Sequence, residues 1–452
     1  MKKNYDIIHS WDLYSKTLTV DYQQSIEQGL DIEKYKDLIF AIDKMPCDEN
    51  KEKMADIIFD IISNAKMVQD YKYNEPSSLD EIKKLRQKYP VKKVKLGKKA
   101  LLNKTQGAWF GRICGCILGK PVESLWKEDL WEILKASNNY PLHRYISLDD
   151  VPAEVIKRVP WLKDWRSGAF INSVLEKGYV PFDDDTNYMV LAQEHIKRWG
   201  RDFIPRHMGN TWLDLQPKHA YCTAERVAYI NLVNGFEPPY SATYKNAYRE
   251  WIGAQIRGDY FGYINPGNPE LAAEMGWRDA SISHIKNGIY GEMWVCAMIA
   301  TAYSTSNMVD IVRSGLGQIP KTSRLYEAID SVVCDYENGV TQDEAFNKLY
   351  EKYDDHYGHH WCHTISNAIS VAICLLYGGG DFEKTICMAV QAGFDTDCNG
   401  ATVGSIVGII NGYDGIPQKW IEPLNNTLET TIFGYDKVKI TECAKITLKH
   451  TK

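Results

Sequence analysis

The 452-residue chain has no excess of positive charge, no long hydrophobic run and no dense cysteine framework. Its 53 lysines and arginines are outnumbered by 59 aspartates and glutamates, which leaves a formal net charge of −6 and a pI near 6.0. That balance excludes a general electrostatic grip on nucleic acid or on an anionic membrane, both of which need a basic field. Small or neutral partners are expected instead. No segment reaches the ~18 apolar residues of a membrane span. The opening MKKNYDIIHSWDLYSK has two lysines but no apolar run behind them, so neither export nor insertion is predicted. Eleven cysteines, an odd number, are scattered through a chain too long to need disulfide staples; they read as reduced thiols of a cytoplasmic protein. Also missing are a repeat at solenoid spacing, a low-complexity tract and sustained period-two alternation.

What remains is helical. Residues 1–98 are rich in Lys, Asp and Glu and contain amphipathic patches such as KEKMADIIFDIISNAKMV, where Met54, Ile57, Ile58, Ile61 and Ile62 recur at three- and four-residue spacing. The basic stretch KYPVKKVKLGKKALLNK, with Pro90 and Gly97, predicts a surface connector and a boundary near residue 98. Beyond it, residues 99–452 carry long apolar segments with Gly, Ala and Ser at helical intervals, as in GEMWVCAMIATAYS at 291–304. The expected architecture is an all-α main domain behind a small helical N-terminal appendage.

Two segments share an unusual pattern. In GAWFGRICGCILGKPVE, Gly107, Gly111, Gly115 and Gly119 fall four apart, and in GATVGSIVGIING so do Gly400, Gly404, Gly408 and Gly412. An interior glycine costs a helix about 1 kcal/mol relative to alanine. Spacing by four puts each set on one face, so a close backbone approach, as in tight helix crossings, is the expected return.

Acidic residues gather at two places. Asp183, Asp184 and Asp185, with Thr186, precede a helical pattern from about Tyr188 to Trp199, and Asp395 and Asp397 stand before the second glycine segment. One carboxylate suffices to cap a helix and meet its dipole. Three adjacent ones repel each other, and a hard divalent cation would offset that with oxygen ligands. An EF-hand matches Asp395, Asp397, Asn399 and Gly400 but fails at its twelfth position, which is Ile406. The run HYGHHWCHTISNAIS offers His356, His359, His360, Cys362 and His363 as possible zinc ligands, without a second Cys/His pair at matching spacing.

Taken in order, GAWFGRICGCILGKPVE, FDDDTNYMVLAQ and GFDTDCNGATVGSIVGIING resemble the three signature blocks of the ADP-ribosylglycohydrolases, over about residues 100–415. DASISHIKNGIYGEM, with His284, resembles a further Ser/Thr-His block. The resemblance implies an all-α fold and two Mg²⁺ or Mn²⁺ ions that hold the ribose of ADP-ribose while an N- or O-glycosidic bond is hydrolysed. It implies Asp183, Asp184, Asp185, Asp395, Asp397 and Cys398 as the metal-binding positions. Glu123, Asp184 and Asp397 are the implied catalytic positions, and His284, Gly119 and Asn399 the implied substrate-binding ones.

The chain departs from the family pattern at three points. Asp183 replaces a threonine and adds a charge, Cys398 replaces a hydroxyl residue, and Gly115-Cys116 replaces a Gly-Asp pair. A thiol is a poor ligand for Mg²⁺ and favours a softer ion such as Mn²⁺. The expected partner is a small or protein-attached ADP-ribosyl substrate. A hydrolase for another ribosyl compound, and a non-catalytic crystallin-like or ADP-ribose-binding protein that kept the scaffold, are the competing readings; oligomeric state stays open.

Overall fold

A Cβ added to Gly107, Gly111 or Gly115 would lie 2.1, 2.1 and 1.9 Å from the carbonyl oxygens of Gly408, Gly404 and Gly400. The reverse substitutions meet the same partners: Gly400, Gly404 and Gly408 face the carbonyls of Gly115, Gly111 and Gly107. The two glycine segments are therefore one antiparallel zipper between the helices Lys98–Gly119 and Thr396–Asn411, packed backbone against backbone. Close packing of this kind is the return on the helix-propensity cost of so many glycines.

The computed structural model describes residues 3–91, 95–163 and 168–452. Among the described residues there are 24 α-helices and two three-residue strands, Thr427–Glu429 and Lys437–Lys439, paired antiparallel. The protein is all-α, as its sequence predicts. The zipper runs through the main core. The helix Lys286–Ala302 is buried along almost its whole length, as expected of a helix that is apolar on every side. Phe382–Gln391 packs against the second glycine helix, and Ile440–Lys449 against the first, where Trp109 Nε1 donates to Thr447 Oγ1 at 3.0 Å. All eleven cysteines are free. Among the described residues no helix is long and apolar enough to cross a membrane.

The N-terminal residues build a small core of their own from Tyr14, Leu18, Tyr22, Ile39, Ile58 and Ile62. Ile57, part of the same apolar pattern, is instead 50% exposed. Polar and charged side chains attach this unit to the rest: Asp21 to Arg249 at 2.5 Å, Gln24 to Glu250 at 2.8 Å and Glu75 to Arg324 at 2.9 Å. Asp12 receives both Nε and Nη2 of Arg226, at 2.6 and 2.8 Å. Gly97 caps the first glycine helix.

Candidate functional site

Both acidic clusters lie at helix N-termini. Asp183 caps Asp184–Trp199, its side chain accepting from the Asp185 amide at 2.9 Å, while Asp184 and Asp185 occupy the first turn. Asp395 is the residue before Thr396–Asn411, and Asp397 lies in that helix's first turn. Negative charge is favoured at both places by the free amides and the helix dipole. The zipper then determines what meets them. It aligns the end of the first glycine helix with the start of the second, where Thr396 Oγ1 donates to the Gly119 carbonyl at 2.9 Å. Lys120 and Glu123, which follow Gly119, are thereby delivered to the aspartates.

The carboxylates converge from three segments. Ligand atoms of Glu123, Asp395 and Asp397 lie within 4.8 Å of one another, and so do those of Asp185, Asp397 and Cys398, and of Cys116, Asp183 and Asp185. Lys120 Nζ stands 2.5 Å from Asp183 Oδ2, 2.8 Å from Glu123 Oε2 and 3.0 Å from Asp397 Oδ2. Behind them Arg112, 1% exposed, reaches Asp185 Oδ1 at 2.8 Å and Asp259 Oδ2 at 2.7 Å.

These two cations do not satisfy the cluster. Burial, reinforced by neighbouring aspartates, pushes Asp184 and Asp395 well above the usual carboxylate range; burial does the same to Asp185 in spite of Arg112. Burial and then the Asp397 charge raise Glu123 to about 7. At Asp183 burial is outweighed by Lys120, which holds the carboxyl below its ordinary value. Asp185 Oδ2, Asp395 Oδ1 and Asp397 Oδ1 are buried and receive no hydrogen bond. Unsatisfied, hard, anionic oxygens that are destabilised by one another fit a divalent cation such as Mg²⁺ or Mn²⁺. Cys398 is a weaker fit, since a soft thiol is a poor ligand for a hard ion; burial also pushes this thiol well up.

A cavity of about 440 Å³ opens onto this cluster, with Lys120, Glu123, Asp183 and Asp184 on its wall together with Trp11 and Phe182. Asp185, Asp395 and Asp397 lie behind that wall, between 0% and 4% exposed. A second cavity of similar size, beside Glu27, Arg324 and His363, is lined by none of these aspartates.

Three expected substrate contacts lie off the wall of this cavity. His284 is fully buried, hydrogen-bonded through Nδ1 to Ser283 Oγ at 2.8 Å, and does not line the cavity at the carboxylates. Gly119 is consumed by the zipper, and Asn399 is buried with its Nδ2 on Asn367 Oδ1 at 2.8 Å. Neither lines the cavity.

The histidine run is not built as a zinc site. Glu27 does join His359 and His363, but Trp251 Nε1 donates to His359 Nδ1 at 3.2 Å and the Ile365 amide donates to His363 Nδ1 at 3.1 Å. Each neutral ring therefore carries its proton on Nε2, the atom facing Glu27, and has no lone pair there for a metal. His359 Nε2 donates to Glu27 at 3.1 Å instead. The EF-hand is excluded as well, because Thr396 already begins a helix.

Lys120, Arg112 and Trp11 escaped the sequence reading. The extra charge at Asp183 was the available clue to Lys120, since a buried additional carboxylate calls for a cation nearby.

This geometry defines a class, an all-α protein with a buried carboxylate centre at the base of a cavity. Residues 97–447 match the family model described as ADP-ribosylglycohydrolase, and the chain belongs to that family. It is 23% identical over 325 residues to an uncharacterized protein of Archaeoglobus fulgidus, an alignment covering 70% of this chain and 90% of that one. Its fold is similar to a solved structure titled "ADP-ribosylglycohydrolase-related protein complex", with a TM-score of 0.50, 17% identity, and coverage of 78% of this chain and 100% of that one.

Proposed function

We propose that the protein is a divalent-metal-dependent hydrolase that cleaves the glycosidic bond of an ADP-ribosyl or related ribosyl compound. The observation that carries the reading is the convergence of Asp183, Asp184, Asp185, Asp395, Asp397 and Glu123 at one cavity, with three buried carboxylate oxygens lacking any partner. Asp184, Asp185, Asp395 and Asp397 would hold the Mg²⁺ or Mn²⁺, with Asp183 and Glu123 completing the shell where a second ion binds. When bound, the metal supplies an electrophilic anchor for ribose oxygens and for water.

The remaining work falls to the chain. Glu123 lines the cavity and is the carboxylate placed to take a proton from water as that water adds to the anomeric carbon. The bond from that carbon to the leaving nitrogen or oxygen breaks, and the leaving atom takes up the proton that Glu123 received. Asp184, on the same wall, faces the positive charge that develops on the ribose ring, and Asp397 links both halves of the centre through Lys120. A cytoplasmic location and a small or protein-attached ADP-ribosyl substrate complete the proposal.

One observation favours a second reading. Lys120 already neutralises part of the carboxylate cluster, as it would in a scaffold retained for binding or structure without turnover. Incubation with a panel of ADP-ribosyl and ribosyl conjugates in Mg²⁺, Mn²⁺ and EDTA separates the two. Chelator-sensitive release of a ribosyl product supports the hydrolase. Absence of both metal binding and product supports the second reading and defeats the first.

A further inference from the structure

The cavity beside the carboxylates is not made by the family-matched residues alone. Trp11 lies far outside residues 97–447, yet it lines this cavity. Its position is enforced. Asp12, the next residue, takes a bidentate pair from Arg226 at 2.6 and 2.8 Å and a third bond from Lys218 Nζ at 2.8 Å. Bidentate, charge-assisted bonds of this kind hold direction as well as distance. The Arg226 guanidinium lies over the indole, 5.8 Å from its centroid, and the His9 ring packs against it at 4.4 Å. Lys218 is followed by His219, Ala220 and Cys222, all on the wall of the same cavity, so the Asp12 clamp ties Trp11 to the loop that forms that wall.

The cavity thus presents a fixed, half-buried indole at one part of its wall, the carboxylates with Lys120 among them at another, and Lys177 on the same lining. An aromatic plane, a lysine and an acidic centre proposed to hold ribose match the three chemical parts of a nucleoside diphosphate sugar: base, phosphates and ribose. We infer that Trp11 is the stacking platform for the aromatic base of the substrate, supplied to the catalytic cavity by the N-terminal appendage. The inference rests on the proposed ribosyl chemistry and goes beyond it, because it assigns the base-recognition element to residues outside the family match.

Calorimetric titration with ADP-ribose and with ribose 5-phosphate, which lacks the base, tests this in the metal-loaded full-length protein. Stacking of one base on an aromatic side chain is worth about tenfold to a hundredfold in affinity. Trp11→Ala should weaken ADP-ribose by that factor and leave ribose 5-phosphate unchanged, while Trp11→Phe should recover most of the loss. Asp12→Asn, which releases the clamp but keeps the indole, should weaken ADP-ribose selectively and by less. Equal loss for both ligands, or undiminished ADP-ribose binding in Trp11→Ala, overturns the inference. Should wild type bind neither ligand, the proposed function itself fails, an outcome distinct from the loss of base selectivity alone.

Discussion

A methyl group placed on Gly115 would stand 1.9 Å from the carbonyl oxygen of Gly400, a separation no side chain can hold. The obstacle is backbone, so only movement of a whole helix relieves it. Gly115→Ala should therefore cost about 3 kcal/mol, the upper part of the usual range for overpacking, although alanine is the better helix former. Urea unfolding of this variant beside Gly97→Ala, where nothing lies within 4 Å of the added carbon, provides the comparison. Equal midpoints for the two would refute the zipper.

Replacing Asp395 and Asp397 together by asparagine removes two of the unsatisfied buried oxygens. A ligand at a hundred times its Kd adds about 2.7 kcal/mol to stability. Wild type should show a corresponding rise in Tm with Mn²⁺ or Mg²⁺, and the double variant none, with chelator-sensitive turnover lost as well. A full metal-induced shift in the variant would take these residues out of the centre.

Lys120 competes with any divalent ion for Asp183, Asp397 and Glu123. Lys120→Met should bind Mn²⁺ at least tenfold more tightly while losing about 3–5 kcal/mol of metal-free stability, since breaking a buried pair strands its partners. Adding Asp183→Thr to the same chain should restore part of that stability. Weaker Mn²⁺ binding in Lys120→Met, measured by calorimetry, would show that the ammonium assists the ion instead.

His195 is fully buried, with Nδ1 on Thr211 Oγ1 at 2.8 Å, and burial pushes its pKa down to about 3. Between that value and the unfolded value near 6.5 the unfolded chain binds the extra proton. Stability from this residue is complete above pH 6.5 and falls as the pH drops, by about 1.4 kcal/mol per pH unit. The difference in stability between wild type and His195→Gln should therefore be constant from pH 7 to 8 and shrink steadily from 6.5 to 5. A difference that stays level across the whole range would show that His195 is protonated in the fold.

Much of the architecture was legible because helices leave a period in the sequence. The glycines spaced by four predicted a close backbone approach, although not that Gly107 would meet Gly408; pairing is a property of the fold that neither segment encodes alone. The aspartates were legible as well, because three adjacent carboxylates are costly without a cation. Lys120 was not, since a lysine after a glycine at a helix end ordinarily reads as solvated, and only the assembled site buries it among carboxylates. His359 and His363 looked like neighbours on one helical turn, whereas His363 is extended and caps a new helix, which sets its ring tautomer. Trp11 lay in a segment read only as an appendage, and nothing local tells an anchored indole from a surface one.

The zipper also governs when the centre can exist. Asp397 follows Lys120 by 277 positions, so a ribosome has released most of the polypeptide before the second strip of glycines emerges to meet the first. Until then the early acidic residues remain without their opposite number, and a growing chain has no assembled carboxylate centre.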